Sequence, residues 1–385
     1  MKLHRNSLLS AMAILWFASM SAANADVVLS TNDNHTDMRD GKLVVRQNPG
    51  PGTLSMIDTR HFPPRLIDTI DVPGSVVGPP MSAWISPDET FAIVTSATRA
   101  DASQKGGLAD DDRVSVVDLR ASPPAIVQQL HAGLGATGVR VSPDGTLALI
   151  CNRVAGTVSV FHVHDRRLEP AGVVDMGKGS GPSGIVFLKD GKTALVTRNL
   201  DNQISVLHID GDQIRVDPRP ITTGLAPYTL DINSRGTLAA VSNMGRGDGD
   251  VDTVSLIDLT AVPYRTVETV SVASGPEPLK FSPDGAWLAV GAANGSVKPP
   301  ASPFHHKDGL VQIFRVDGKR LHLVATAPVG SWPEGVAFSR DGRTVLMQNM
   351  GERNISVLRW DGVHLTPAAP LSIGSGPSAL ATSWP

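Results

Sequence analysis

Short runs of Val, Ile, Leu, Thr and Phe alternate with polar residues along nearly the whole chain, and each run is bounded by Gly, Pro, Asn or Asp. Alternation with a period of two marks strands with one buried face. Typical runs are Thr146-Leu-Ala-Leu-Ile150, Thr157-Val-Ser-Val-Phe161 and Pro170-Ala-Gly-Val-Val174. No segment after residue 25 sustains apolar residues at helical spacing, so long helices are not expected.

The runs are organised by a repeat. Ser86-Pro-Asp-Glu89, Ser142-Pro-Asp-Gly145, Leu188-Lys-Asp-Gly191, Asn233-Ser-Arg-Gly236, Ser282-Pro-Asp-Gly285 and Ser339-Arg-Asp-Gly342 recur at intervals of 56, 46, 45, 49 and 57 residues. Pro-Asp-Gly between two strands is a tight turn, because Pro presets φ and Gly accepts φ > 0. Before each turn stands an apolar run introduced by Gly or Pro, such as Gly181-Pro-Ser-Gly-Ile-Val-Phe187, and three further strands follow it. Four antiparallel strands in about 50 residues make one blade of a β-propeller.

The chain ends argue for seven blades. Lys42-Leu-Val-Val-Arg46 and Thr53-Leu-Ser-Met-Ile-Asp58 read as second and third strands with no turn phrase before them. Gly376-Pro-Ser-Ala-Leu-Ala-Thr382 repeats the inner-strand phrase, and no further strands follow it. Joining the two incomplete ends gives an all-β, seven-bladed propeller whose first blade combines the C-terminal strand with the N-terminal strands, an arrangement that leaves no long free sheet edge.

Composition adds the compartment. Residues 1–25 carry Lys2 and Arg5, an apolar stretch from Leu8 to Met20, and Ala23-Asn-Ala25, the features of a cleavable signal peptide. The apolar stretch is too short to span a membrane. Residues 26–385 then form a periplasmic or secreted propeller, expected to work as a monomer, with 32 basic against 37 acidic residues. That balance makes nucleic acid and anionic membranes poor partners. The single cysteine, Cys151, has no pairing or metal spacing around it and reads as a small buried hydrophobe. Gly-rich phosphate loops, Gly-x-Ser-x-Gly elbows, His-Glu-x-x-His pairs and Cys-x-x-Cys-His are all missing, so nucleotide hydrolysis, α/β-hydrolase chemistry, zincin proteolysis and covalent c-type haem are not supported.

Cys151-Asn-Arg153, Arg198-Asn-Leu200, Ser242-Asn-Met244 and Gln348-Asn-Met350 each close a second strand ahead of a third. With the Ser-Pro-Asp-Gly turn, this pattern resembles the YVTN-repeat propellers, most closely at Val141 to Phe161. The Tyr of that family's phrase is absent throughout. The resemblance implies a seven-bladed fold, and its neighbourhood includes lactonase-like propellers, exported propellers associated with quinoprotein catabolism and surface-layer proteins. It carries no catalytic residue over to this chain.

Candidate chemistry follows from the blade register. The position seven residues before the third residue of each turn, which opens the inner strand, is held by Met81, Thr137, Ser183, Tyr228, Glu277 and Glu334, with Ser378 equivalent in the closing blade. Glu277 and Glu334 therefore fall at matched positions in adjacent blades, near the channel mouth, and are the catalytic candidates. Two convergent carboxylates divide acid and base roles or bind a cation; the alternative is that each pairs with an Arg. Tyr228 joins the ligand-binding set. Arg153, Arg198, Arg246 and Arg353, beside or just beyond the Asn position, make an anion-receptive rim if they point inward and surface ion pairs if they do not. Asn152, Asn199, Asn243 and Asn349 are expected to satisfy loop backbone. Arg140, Asp231 and Lys280 lie deeper in the inner strands and are expected to pair with one another.

Three loops between second and third strands are expanded, Arg99 to Asp112, Met244 to Asp252 and Asn294 to Asp308, and all should rise from one face. Asp248, Asp250 and Asp252 begin like a calcium loop, but Thr253 and Leu259 stand where that loop needs Gly and Glu. A Ca²⁺ site of another geometry stays open, as does a ligand-binding role for His305 and His306. Three functions remain: binding of a small molecule or periplasmic protein on the long-loop face without chemistry, which comes first; a lactonase-like hydrolase acting on the lactone of an acidic small molecule; and a structural surface protein.

Overall fold

The structure, a computed structural model, describes residues 26–384, so the proposed signal peptide lies outside the described residues. Every regular element among them is a strand, and no helix is long and apolar enough to cross a membrane. Seven four-stranded antiparallel sheets are arranged as blades around a channel, two of them extended by a short fifth strand.

Blade one is the expected composite. Its inner strand is Gly376–Thr382, followed by Val27–Asp33, Thr53–Asp58 and Arg65–Asp71. The inner strands of blades two to seven are Ala83–Ile85, Ala136–Val141, Pro182–Phe187, Pro227–Ile232, Pro276–Phe281 and Val336–Phe338. One expectation is corrected. Lys42–Val45 is not the second strand of blade one; it pairs with Thr36–Arg39 in a hairpin that projects from the loop between the second and third strands. Its strand pattern is real, but its burial is poor, and Val27–Asp33 supplies the buried strand instead.

Each repeated turn has the same hydrogen-bonding logic. Ser142 Oγ, Ser282 Oγ and Ser339 Oγ donate to the Asp two residues on at 2.5 Å and accept from the backbone N–H five residues on, at 2.9–3.0 Å. The fourth residue has φ near +70° and is Gly in five copies. Glu89 takes that place in the first turn at φ +56°, a conformation that strains a side chain. Its Oε1 accepts from Val27 N–H and from Ser383 Oγ, so the strained residue ties the second strand of blade one and the segment after its inner strand to blade two.

Two further devices set strand and blade positions. Asn152 accepts from Gly133 N–H at 3.0 Å and donates to Thr157 Oγ1 and Ser159 Oγ at 2.9 Å, joining the second strand, the third strand and the incoming loop. Asn32, Asn243 and Asn349 donate to third-strand side chains in the same way. Asn199 does not: the register puts Arg198 opposite Gln203 where Asn152 faces Thr157, so Arg198 holds the stapling place in blade four. One residue before the staple, a donor reaches an inner-strand carbonyl of the next blade: Thr95 to Thr137, Cys151 to Gly184, Thr197 to Tyr228, Ser242 to Glu277 and Gln348 to Ala379. Cys151 is buried as expected, and burial pushes its thiol far above the ordinary range.

Asn152→Ala leaves the Gly133 N–H and two hydroxyls short of a partner in a buried position, and a lost buried hydrogen-bond partner costs about 2 kcal/mol. Urea unfolding of residues 26–385 is expected to show that loss, whereas Asn199→Ala, outside the stapling register, is expected to change the midpoint much less.

Candidate functional site

The residues that open the inner strands ring the mouth of the channel on the face opposite the repeated turns. Glu277 and Glu334, from blades six and seven, bring their carboxyls within hydrogen-bonding reach of each other. Glu334 is 1% exposed, while Glu277 keeps partial access. Burial pushes the Glu277 carboxyl up to about 7, against the opposing pull of a hydrogen bond from Glu334, the charge of Arg153 and the Trp332 side chain. Burial, then the charge of Glu277, hold Glu334 well above the usual carboxylate range. Two like acids this close, one of them buried, share a proton more readily than they ionise together, and the titration belongs to the pair.

The segment joining blades one and two explains why Glu334 is dry. It crosses the channel, and an ideal Cβ on Gly78 would stand 3.0 Å from Glu334 Oε2, so only a glycine backbone lies this close to the carboxyl. Met81, from the same segment, packs with Leu195 and Leu230 of blades four and five, against Gly184, where a Cβ would meet its sulfur at 2.9 Å. Val77, Ala226 and Trp332 all have positive φ. For a β-branched Val this is a true outlier, and such strain gathers at functional sites.

The arginine rim reduces to one member. Arg153 Nη1 donates to Ser183 Oγ at 2.9 Å, and its guanidinium lies 5.8 Å from the Tyr228 ring centre. Burial, then the charge of Glu277, push the Tyr228 phenol upward, so it remains a hydroxyl donor. Arg198 is instead paired with Asp201, and Arg353 with Asp37 of the blade-one hairpin at 2.6 Å. Arg246 is exposed on the blade-five loop and is not part of this cluster.

The long loops do rise on this face, joined by the blade-one hairpin. Gly41 packs on Pro299, Gly107 on Val45 and Gly249 on Phe304, and Lys298 Nζ donates to Gly247 O. His305 and His306 are used inside the blade-six loop, their Nδ1 atoms against Lys298 O and Asn294 O at 3.0 and 2.9 Å. Nothing brings them to the glutamates. Asp248 and Asp250 approach each other on the surface, but Asp252 turns its carboxylate to Gly275 N–H at 2.7 Å. Among the described residues no group of three or more His, Cys, Asp or Glu side chains is placed to hold a metal ion. The glutamate pair and Tyr228 were legible from the repeat register; of the crossing segment only Met81 was, since Val77 and Gly78 lie between repeats.

A family profile described as "Lactonase, 7-bladed beta-propeller" matches residues 111–366. Solved structures of the same fold include a periplasmic gluconolactonase from Pseudomonas aeruginosa, 18% identical, with TM-score 0.69 over 92% of this chain and 98% of that one. A Bacteroides uniformis protein provisionally assigned as a 6-phosphogluconolactonase is 16% identical, with TM-score 0.72 over 92% and 98%. A protein of unknown function from Desulfotomaculum acetoxidans is 14% identical, with TM-score 0.68 over 93% and 99%. No curated protein matches the chain.

Acids whose folded pKa exceeds the unfolded value bind more protons in the native state, so they stabilise it less as pH rises. The native state is expected to gain most from the pair below about pH 4.5, and to lose that gain as pH climbs through about 7, with Glu334 extending the loss further. Melting temperatures from pH 4.5 to 8.5 check this: the Glu277→Gln/Glu334→Gln double variant should show a flatter profile than the parent.

Proposed function

The chain belongs to the lactonase family of seven-bladed β-propellers, and from that premise we propose that it hydrolyses the lactone of an acidic small molecule at the glutamate pair. The carrying observation is Glu277, partly accessible, raised to about 7 and set beside Arg153 and Tyr228. A carboxyl titrating near neutrality serves as base and then as acid without a large driving-force mismatch in either direction. Binding without chemistry, the first reading of the sequence, leaves this pairing without a use.

In the proposed reaction, Glu277 removes a proton from water as the water oxygen bonds to the ring carbonyl carbon. Arg153 and the Tyr228 hydroxyl donate to the oxyanion that forms. As the tetrahedral centre collapses, the ring C–O bond breaks, and the proton on Glu277 passes to the departing alkoxide. The product is a hydroxy acid, which releases one proton to solvent at neutral pH. Glu334, buried beneath Gly78, does not meet substrate in this scheme; it donates a hydrogen bond to Glu277 and is a positioning residue. This refines the expectation of two catalytic carboxyls. The same reading keeps residues 1–25 as an export signal, in line with the periplasmic gluconolactonase among the structural neighbours, and requires no metal.

Proton release by residues 26–385 over a panel of sugar-acid and aromatic-acid lactones tests the proposal, with and without chelator. Saturable release is expected, rising with pH to a plateau above about 7, because the base must be ionised. Glu277→Gln should lower kcat roughly 100-fold or more. Glu334→Gln keeps a hydrogen-bond donor and should leave the pH limb near its place, whereas Glu334→Leu removes it and should move the limb upward. Absence of release across the panel, or full rates in Glu277→Gln, rejects the assignment.

A further inference from the structure

Below the segment that crosses the channel, a second space opens on the face of the repeated turns. Its volume is about 550 Å³, within the range of small-molecule sites. Pro80 closes it above, and Pro87, Pro143, Lys189 and Ser234 of the repeated turns stand at its mouth. Its walls are mainly apolar and aromatic, with Trp84, Phe187 and Trp384 among them.

The charges in this space do not balance. Asp231 is fully engaged: Oδ1 meets Lys280 Nζ at 3.1 Å and Oδ2 accepts from Phe281 N–H at 2.9 Å. Arg140, at the matched position two blades before Asp231, has no carboxylate within 4 Å among the described residues; its Nη1 donates only to the carbonyls of Val139, at 2.7 Å, and Ala83, at 3.4 Å. Lys189, exposed at the mouth, is a third cation and has no carboxylate within 4 Å among the described residues. A guanidinium partly withdrawn from water and lacking an anion is costly to the fold, and burial lowers the pKa of Arg140, with the distant charge of Asp231 only partly opposing this.

We propose that the turn-face half of the channel is a binding site for an organic carboxylate with an apolar or aromatic body, its carboxylate held by Arg140 and its body lying against Trp84, Phe187 and Trp384. The remaining guanidinium donors of Arg140 match a carboxylate in plane and charge. This site is separate from the glutamate pair and does not depend on the proposed hydrolysis.

Calorimetric titration of residues 26–385 with 2-naphthoate and with the neutral 2-naphthalenemethanol tests it. Naphthoate is expected to bind one per chain, at least tenfold more tightly than the alcohol, since a charge-assisted hydrogen bond is worth about a factor of ten or more. Arg140→Gln should remove that preference while leaving the alcohol unchanged, and Trp84→Ala should weaken both. Glu277→Gln should leave naphthoate binding as it was. No naphthoate binding, equal affinity for acid and alcohol, or an effect of Glu277→Gln in place of Arg140→Gln would overturn the proposal. Should Arg140→Gln not fold, Lys189→Met at the mouth serves: a severalfold loss for naphthoate alone supports the site, and no change counts against it.

Discussion

Everything in this molecule rests on the closure of the ring. The C-terminal strand Gly376–Thr382 pairs with Val27–Asp33, and the contact is reinforced at the turn face. Arg340 binds Asp26 and lies 4.9 Å from the Trp384 ring centre, Trp384 donates to Phe338 O at 3.1 Å, and Glu89 accepts from Val27 and Ser383. Blade seven, blade two and the two sequence-distant parts of blade one thus meet in one cluster. The channel has a defined width only while this cluster holds. Glu334 comes from blade seven and Gly78 from the segment leaving blade one, so the close approach that buries the carboxyl is a direct consequence of closure.

The strain at Glu89 fits that role. A residue held at positive φ costs on the order of 1 kcal/mol or more, and the other five turns avoid it with Gly. Gly at this position would relieve the backbone and remove the carboxylate that joins three segments distant in sequence. The local rule is broken where a long-range constraint outweighs it.

The same distinction explains what the sequence could tell. Turns, blade count and composite first blade were legible because Pro-Asp-Gly geometry and strand alternation are local. The matched placement of Glu277 and Glu334 was legible because the repeat transfers register from blade to blade. Errors arose where local pattern is degenerate. Lys42–Val45 alternates like a blade strand but lacks a buried face, and Asn199 resembles the stapling asparagines while lying one residue beyond their register. The four arginines were indistinguishable in sequence, since their fates depend on Asp201 and Asp37, which loops bring to Arg198 and Arg353 but not to Arg153. Of the crossing segment only Met81, at its end, held a place in the repeat register; Val77 and Gly78 stand before the blade-two repeat and left no trace.

That segment divides one channel into two environments of opposite character. On the loop face, two acids face one another with Arg153 bonded to Ser183 rather than to either of them, and burial holds both carboxyls above the usual range. On the turn face, Asp231 is spent on Lys280 and a backbone N–H, and Arg140 is left in excess. Had Arg140 stood within reach of the glutamates, each charge would have neutralised the other and the carboxyls would titrate in the ordinary range. Keeping them on opposite sides of Gly78 and Met81 preserves a proton-holding acid pair above and an anion-receptive cation below. The insertion of one non-repeating segment into a repeating scaffold is what separates the two chemistries.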